Sequence, residues 1–338
     1  MFELIKNLTQ IDGISGREQN VREYIIKQID GKCDYYVDNL GNIIAFKKGK
    51  KQPKNKIMLS AHMDEVGMIV TNITADGLLR IAAVGGVDPR VIIGRAVKIN
   101  DEVNGVIGTK AVHQQSSAER EKAVQTDNLF VDIGAKDKAD AETAAALGDS
   151  VTFVSEYAEF GDDFVVAKAL DDRIGCAILI NLIGEELEYD VNFAFCVQEE
   201  VGLRGAKAAT ETISPDVAIV IEATTAADLS DVESHKKVCC LGDGAVVGFM
   251  DRSTIYNKEL YDLAFTLAEQ NGIKIQTKTL IAGGNDAGAI QTAHGGAKVL
   301  AISVPTRYIH SPSCVAKKSD IIEVYKLTKL MISRGIYV

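Results

Sequence analysis

Strand-like apolar runs alternate with helix-length ones near both ends of this chain, but not in its middle. Between about Val66 and Asp162 only short β-like runs occur: Gly67–Ile73, Leu78–Ala83, Ala96–Ile99, Gly105–Ile107, Leu129–Ile133 and Ser150–Phe153. Gly, Asp and Asn turns separate them, as in a small barrel or sandwich. Val112–Thr126, which contains HQQSSAEREK, reads as a polar, mobile loop. Outside this stretch Tyr35–Val37, Ile43–Lys47, Ile57–Ala61, Val191–Val197, Val217–Glu222 and Lys298–Pro305 read as strands. Helices are expected after Ser15-Gly16-Arg17-Glu18, which has capping-box spacing, and over Asp171–Ile183, Leu203–Glu211, Asn257–Gln270 and Asp320–Arg334. Asp320 and Glu323 again stand at capping-box spacing. Such alternation implies an α/β sheet with helices on both faces. A chain that leaves this pattern and returns to it is read as one α/β domain, residues 1–66 and 163–338, interrupted by a β-rich insert, 67–162.

The charge balance narrows the partners. A net charge of −10 over 338 residues argues against nucleic acid or an anionic membrane as a primary partner. No apolar run reaches the roughly 18 residues that would span a bilayer. MFELIKNLTQIDGISG lacks the basic and apolar regions of a signal peptide, so a cytoplasmic location is expected. The six cysteines are scattered without a CxxC pair and are expected to be reduced.

Polar groups in α/β folds work at the carboxyl ends of strands. His62 and Asp64 follow one apolar run, Glu199 and Glu200 another, Glu222 ends a third, and His310 follows a fourth. Asp171 and Asp172 open a helix. Each has an ordinary structural reading, as a surface pair, a helix cap or a loop histidine. Five segments distant in sequence that bring His or carboxylate groups to one sheet edge point instead to a metal site. That donor set suits zinc, cobalt or manganese rather than calcium.

The ordered spellings AHMDEVG (61–67), KALDDRIG (168–175), VQEEVGLRGA (197–206), EATTAADL (222–229), GGNDAGAI (283–290) and RYIHSP (307–312) resemble the M42, or tetrahedral, aminopeptidases. The resemblance implies a zinc-peptidase-like α/β fold with a PDZ-like or barrel insert that mediates dimers, which assemble into a homododecamer acting on short peptides. It implies two divalent ions per subunit, zinc foremost. Asp171 would bridge them, His62 and Glu222 completing one site and Glu200 and His310 the other. Asp64 would accept a hydrogen bond from the far nitrogen of His62. Asp172 would shape the backbone around Asp171, and Glu199 would be the general base. Gly284, Asn285, Asp286 and Arg307 would contact substrate. The chain departs from the family in the spelling around His113, in Asn285 where Thr is usual, and in Ser313-Cys314 after RYIHSP. A carboxypeptidase or amide deacylase would use the same ligands. A polysaccharide hydrolase and a non-catalytic scaffold are the other readings.

Overall fold

Four parallel strands form the centre of the molecule, a computed structural model that describes residues 1–334. Their spatial order is Val191–Cys196, Ile57–His62, Val217–Thr225 and Lys298–Arg307. All four are buried along almost their whole length, which is why they read as continuous apolar runs rather than alternating ones. Antiparallel strands extend both sides. Ile43–Lys47 and Asp34–Val37 continue beyond Val191–Cys196, while Cys314–Lys317, Phe164–Ala167 and Ala158–Phe160 continue beyond Lys298–Arg307. Ala245–Gly248 also pairs with Lys298–Arg307 and carries Ile275–Lys278 at its outer side. Helix Leu170–Ile183 packs on Ile57–His62 and Val217–Thr225, with helices Phe2–Gln10 and Gln19–Ile29 behind it. Arg204–Ile213 and Asp286–Thr292 pack against each other and on the sheet. No helix of the described residues is long and apolar enough to cross a membrane.

The middle of the chain is a closed six-stranded barrel in the order Gly67–Ile73, Leu79–Val84, Leu129–Asp132, Val103–Thr109, Ala96–Ile99, Ser150–Phe153, the last pairing with the first. It has its own core, including Met68, Leu79, Val97, Ile99, Val131 and Val151. Ala158–Phe160, although it lies within 67–162, pairs with Phe164–Ala167 in the large sheet. The segment Val112–Thr126 is not without regular structure. It contains a 3-10 turn, Val112–Gln114, and one helical turn, Ser117–Arg120, closed by a reciprocal capping box between Ser116 and Glu119. His113 on it is exposed.

Two expected capping boxes are corrected by tertiary bonds. Ser15 Oγ donates to Asp64 at 2.6 Å, and Glu18 accepts from the amides of Gly16 and Gln198 at 2.7 and 3.1 Å. The helix starts only at Gln19, without a side-chain cap. Likewise the last helix starts at Lys318, and Asp320 accepts from Gly242 and Gly244 of a distant turn. In each case a partner distant in sequence takes up the side chain that a local cap would have used.

The chain leaves the sheet for the barrel just after His62 and rejoins it at Ala158–Phe160 and Phe164–Ala167, the strand that leads into Asp171. A buried polar knot pins this junction. Glu65 accepts from Lys168 at 2.7 Å, from Arg173 at 3.4 Å and from the Gly13 amide at 3.1 Å. Arg173, fully buried, donates to the carbonyls of Met63, Leu8 and Ile11. A charge this deep persists only where each donor is met.

Candidate metal centre

The parallel strands deliver their carboxyl ends to one edge, and the six sequence-picked groups at those ends converge there. His62 is the last residue of its strand and is 2% exposed, Glu222 lies within Val217–Thr225, and Glu199, Glu200 and His310 follow their strands directly. Asp171 enters from the mouth of helix Leu170–Ile183, where Asp171 and Asp172 have non-helical backbone angles and share a cis peptide bond. Asp172 accepts from the Gly175 amide at 3.0 Å and from the His62 amide at 3.3 Å. It thus caps the regular part of the helix and ties it to the strand end. A Cβ on residue 175 would stand 2.3 Å from that carboxylate, so only glycine leaves room for it.

The two oxygens of Asp171 face two different histidines. Oδ1 lies 3.2 Å from His62 Nε2, which is itself 3.5 Å from Glu222 Oε1. Oδ2 lies 3.4 Å from His310 Nε2, which is 3.2 Å from Glu200 Oε1. The inner nitrogens are engaged on the protein side. His62 Nδ1 lies 3.1 Å from the Asp64 carbonyl and 3.4 Å from its carboxylate. His310 Nδ1 lies 3.2 Å from the Gly86 carbonyl, which belongs to the barrel. Both rings therefore turn Nε2 towards the carboxylates, the tautomer a metal ligand requires. Asp64, wholly buried, also accepts from the Glu199 and Glu200 amides at 3.0 and 3.1 Å.

The electrostatics describe a cluster in need of positive charge. Burial, and then repulsion from Asp171, push the Glu222 carboxyl up to about 8 against the pull of His62. Burial also raises Glu200, and it raises Glu199 strongly, with Glu222 and Asp286 adding to the latter. Burial opposes a charge on His310, yet Asp171 and Glu200 outweigh it and push the ring up to about 11. The cluster takes up protons where it could take up cations. His62, Asp171 and Glu200, and His62, Asp172 and Glu222, each bring ligand atoms within 4.8 Å of one another, a spacing that fits a divalent ion.

The cluster forms one wall of a cavity of about 690 Å³, lined also by Gly86, Leu203, Ser253, Lys278, Gly284 and Asn285. Two expected substrate contacts do not line it. Arg307 is committed to Asp228, at 2.6 and 2.8 Å. Asp286 is 1% exposed, points into the protein beside Asp64 and Glu199, and has no oxygen or nitrogen hydrogen-bond partner among the described residues, and burial pushes it up to about 7. Asn285 does reach the cavity, but its side chain also caps helix Asp286–Thr292 and donates to Tyr256. All six cysteines are free, Cys239 and Cys240 included.

Gly86 and Lys278 escaped the sequence reading. Gly86 sits in the turn after a barrel strand, with no local signal tying it to His310. It leads to a prediction. A methyl at position 86 would lie 3.0 Å from His310 Nδ1. Gly86→Ala is expected to weaken metal affinity about ten-fold, the usual cost of disturbing a ligand's outer hydrogen bond. Competition against a chromogenic chelator measures it, and unchanged affinity would show that the barrel loop does not orient His310.

The description "M42 glutamyl aminopeptidase" matches residues 41–327. A putative aminopeptidase of Acetivibrio thermocellus is 43% identical over 97% of both chains. The lysyl aminopeptidase of Pyrococcus furiosus is 31% identical over 98% of this chain and 96% of its own. Among solved structures, the Pyrococcus horikoshii TET1 peptidase, described as assembling into a tetrahedron or a large octahedral shell, is 36% identical with a TM-score of 0.86, over 98% of this chain and 99% of its own. A Thermotoga maritima protein described as an endoglucanase is 35% identical with a TM-score of 0.81, over 97% of this chain and 96% of its own.

Proposed function

Because the chain belongs to the M42 aminopeptidase family, we propose that it is a two-metal aminopeptidase that removes N-terminal residues from short peptides. One observation carries this reading. Asp171 offers one oxygen to the His62–Glu222 pair and the other to the His310–Glu200 pair. A carboxylate placed this way would be shared by two divalent ions, with His62 and Glu222 holding one and His310 and Glu200 the other. Zinc is the proposed metal, on a zinc-peptidase-like sheet.

When bound, the ions supply Lewis-acid polarisation of the scissile carbonyl and lower the pKa of water. The chain's own residues do the rest. Glu199 lines the cavity next to Glu200 and takes a proton from the attacking water, then passes it to the leaving amine. Asp64 holds the Glu199 and Glu200 amides and thus fixes the base relative to a ligand. His62 and His310 have no part in a two-carboxylate glycosidase mechanism, and the chain has no Trp to stack on sugars.

Purified protein is expected to carry divalent metal and to cleave chromogenic aminoacyl substrates, losing activity to chelators and regaining it with zinc, cobalt or manganese. N-acylated substrates should be inert, because the free amine must be held. Turnover of N-acylated substrates would favour the deacylase reading instead, and absence of metal the scaffold.

The proposed assembly is a dodecamer built from dimers through the barrel, residues 67–162. Light scattering is expected to find it, and a monomer would overturn it.

A further inference from the structure

We propose that Lys278 makes the substrate cavity selective for peptides that begin with an acidic residue, aspartate or glutamate. This rests on the aminopeptidase reading above and names the substrate class for that same site. The family description and the lysyl relative point to opposite side-chain charges, so the preference has to be found in this chain's own residues.

The charged and titratable side chains facing the cavity are His62, Asp171, Glu199, Glu200, Glu222, His310 and Lys278. All but Lys278 belong to the metal cluster or its base. Two divalent ions would balance the four carboxylates of that cluster, leaving Lys278 as the uncompensated charge. The lysine ends strand Ile275–Lys278 and is half-buried. Side chains two apart share a strand face. Gln276, on the same face, is tied to Cys240 and to the Gly244 carbonyl, so the backbone beneath Lys278 is held in place. No carboxylate lies within ion-pair distance of Lys278 among the described residues, and its charge is free for a ligand. Arg307, by contrast, is already neutralised by Asp228.

The neighbouring walls complete the fit. Leu203, Val238, Leu280 and Ile309 line the same cavity and suit the methylene stem of a side chain whose end is polar. An acidic N-terminal residue places its carboxylate against Lys278 and its stem against these walls. A lysyl or arginyl residue brings like charges together in a partly desolvated space, which is strongly unfavourable.

The test uses the full-length, metal-loaded enzyme with glutamyl, aspartyl, leucyl and lysyl p-nitroanilides. The acidic substrates are expected to have the highest kcat/KM. Lys278→Met should lower the glutamyl-to-leucyl ratio by about 10- to 100-fold, Lys278→Glu should invert the glutamyl-to-lysyl ratio, and Lys278→Arg should preserve both. Calorimetric titration with free L-glutamate and L-leucine reads the same discrimination without turnover. Cleavage that favours leucyl or lysyl substrates, or a ratio indifferent to Lys278→Met, overturns this inference and leaves the aminopeptidase reading standing. If no aminoacyl substrate is cleaved with any metal, the broader reading falls and this one with it.

Discussion

Replacing Glu199 by glutamine is expected to lower kcat by about 10²–10⁴ and to leave the metal content unchanged. The two halves of that result come from different parts of the geometry. Glu199 is not among the groups that converge on Asp171, whereas its neighbour Glu200 lies 3.2 Å from His310. Glutamine keeps the shape, the volume and a carbonyl acceptor, but it cannot take a proton from water and return it. The backbone on which it sits stays anchored, because the amide of residue 199 donates to Asp64 whatever the side chain. KM should therefore move little while kcat collapses, the pattern of an interaction made only in the transition state. Metal analysis beside steady-state kinetics decides the matter. Activity within a few-fold of wild type would assign the base elsewhere, and loss of metal would make Glu199 a ligand.

The second large effect comes from a residue that needs no contact with substrate. Asp64→Ala should destabilise the protein by about 3–5 kcal/mol and abolish metal retention. The buried carboxylate accepts from Ser15 Oγ and from the amides of Glu199 and Glu200, and it lies 3.4 Å from His62 Nδ1. Alanine removes the acceptor that those buried donors share, each at a cost of about 1–3 kcal/mol. His62 also loses a partner that keeps its Nε2 turned to the cavity. Urea unfolding gives the stability change, and equilibrium dialysis against zinc gives the affinity. Metal binding at wild-type strength in Asp64→Ala would show that the Asp64 carbonyl alone, 3.1 Å from His62 Nδ1, is enough to orient the ring.

The contrast between Asp64 and Arg307 shows what a sequence makes legible. His62, Asp64, Glu199, Glu200, Glu222 and His310 could be picked because each stands where a buried apolar run ends, and parallel strands align such ends by construction. The barrel was legible in the same way, through short runs broken by turns. The direction of a side chain was not. Arg307 lies beside the His310 motif, yet its partner Asp228 is 79 residues away. Ser15 and Glu18 have the spacing of a local cap, but Asp64 and Gln198 compete for them across the fold. The bond from His310 to Gly86 spans 224 residues and involves a backbone carbonyl, which no side-chain pattern encodes. The helix Phe2–Gln10 could have been found, since Ile5, Leu8 and Thr9 form its buried stripe. Strands as short and exposed as Ala158–Phe160 carry too little apolar signal to stand out.

The order of the central strands also decides how this protein must be made. Ile57–His62 lies between Val191–Cys196 and Val217–Thr225. Both neighbours therefore leave the ribosome only after the entire barrel has been synthesised. The barrel closes on strands drawn from one continuous stretch and can shut early. The strand that carries His62 waits with both edges unpaired until the chain has grown past residue 196, and with one edge still open until it has grown past residue 225. Non-local parallel pairing of this kind is slow and exposes a nascent chain to aggregation. The topology that gathers the candidate ligands thus leaves an apolar strand waiting in the growing chain, and His310 joins the cluster only after every other member has been made.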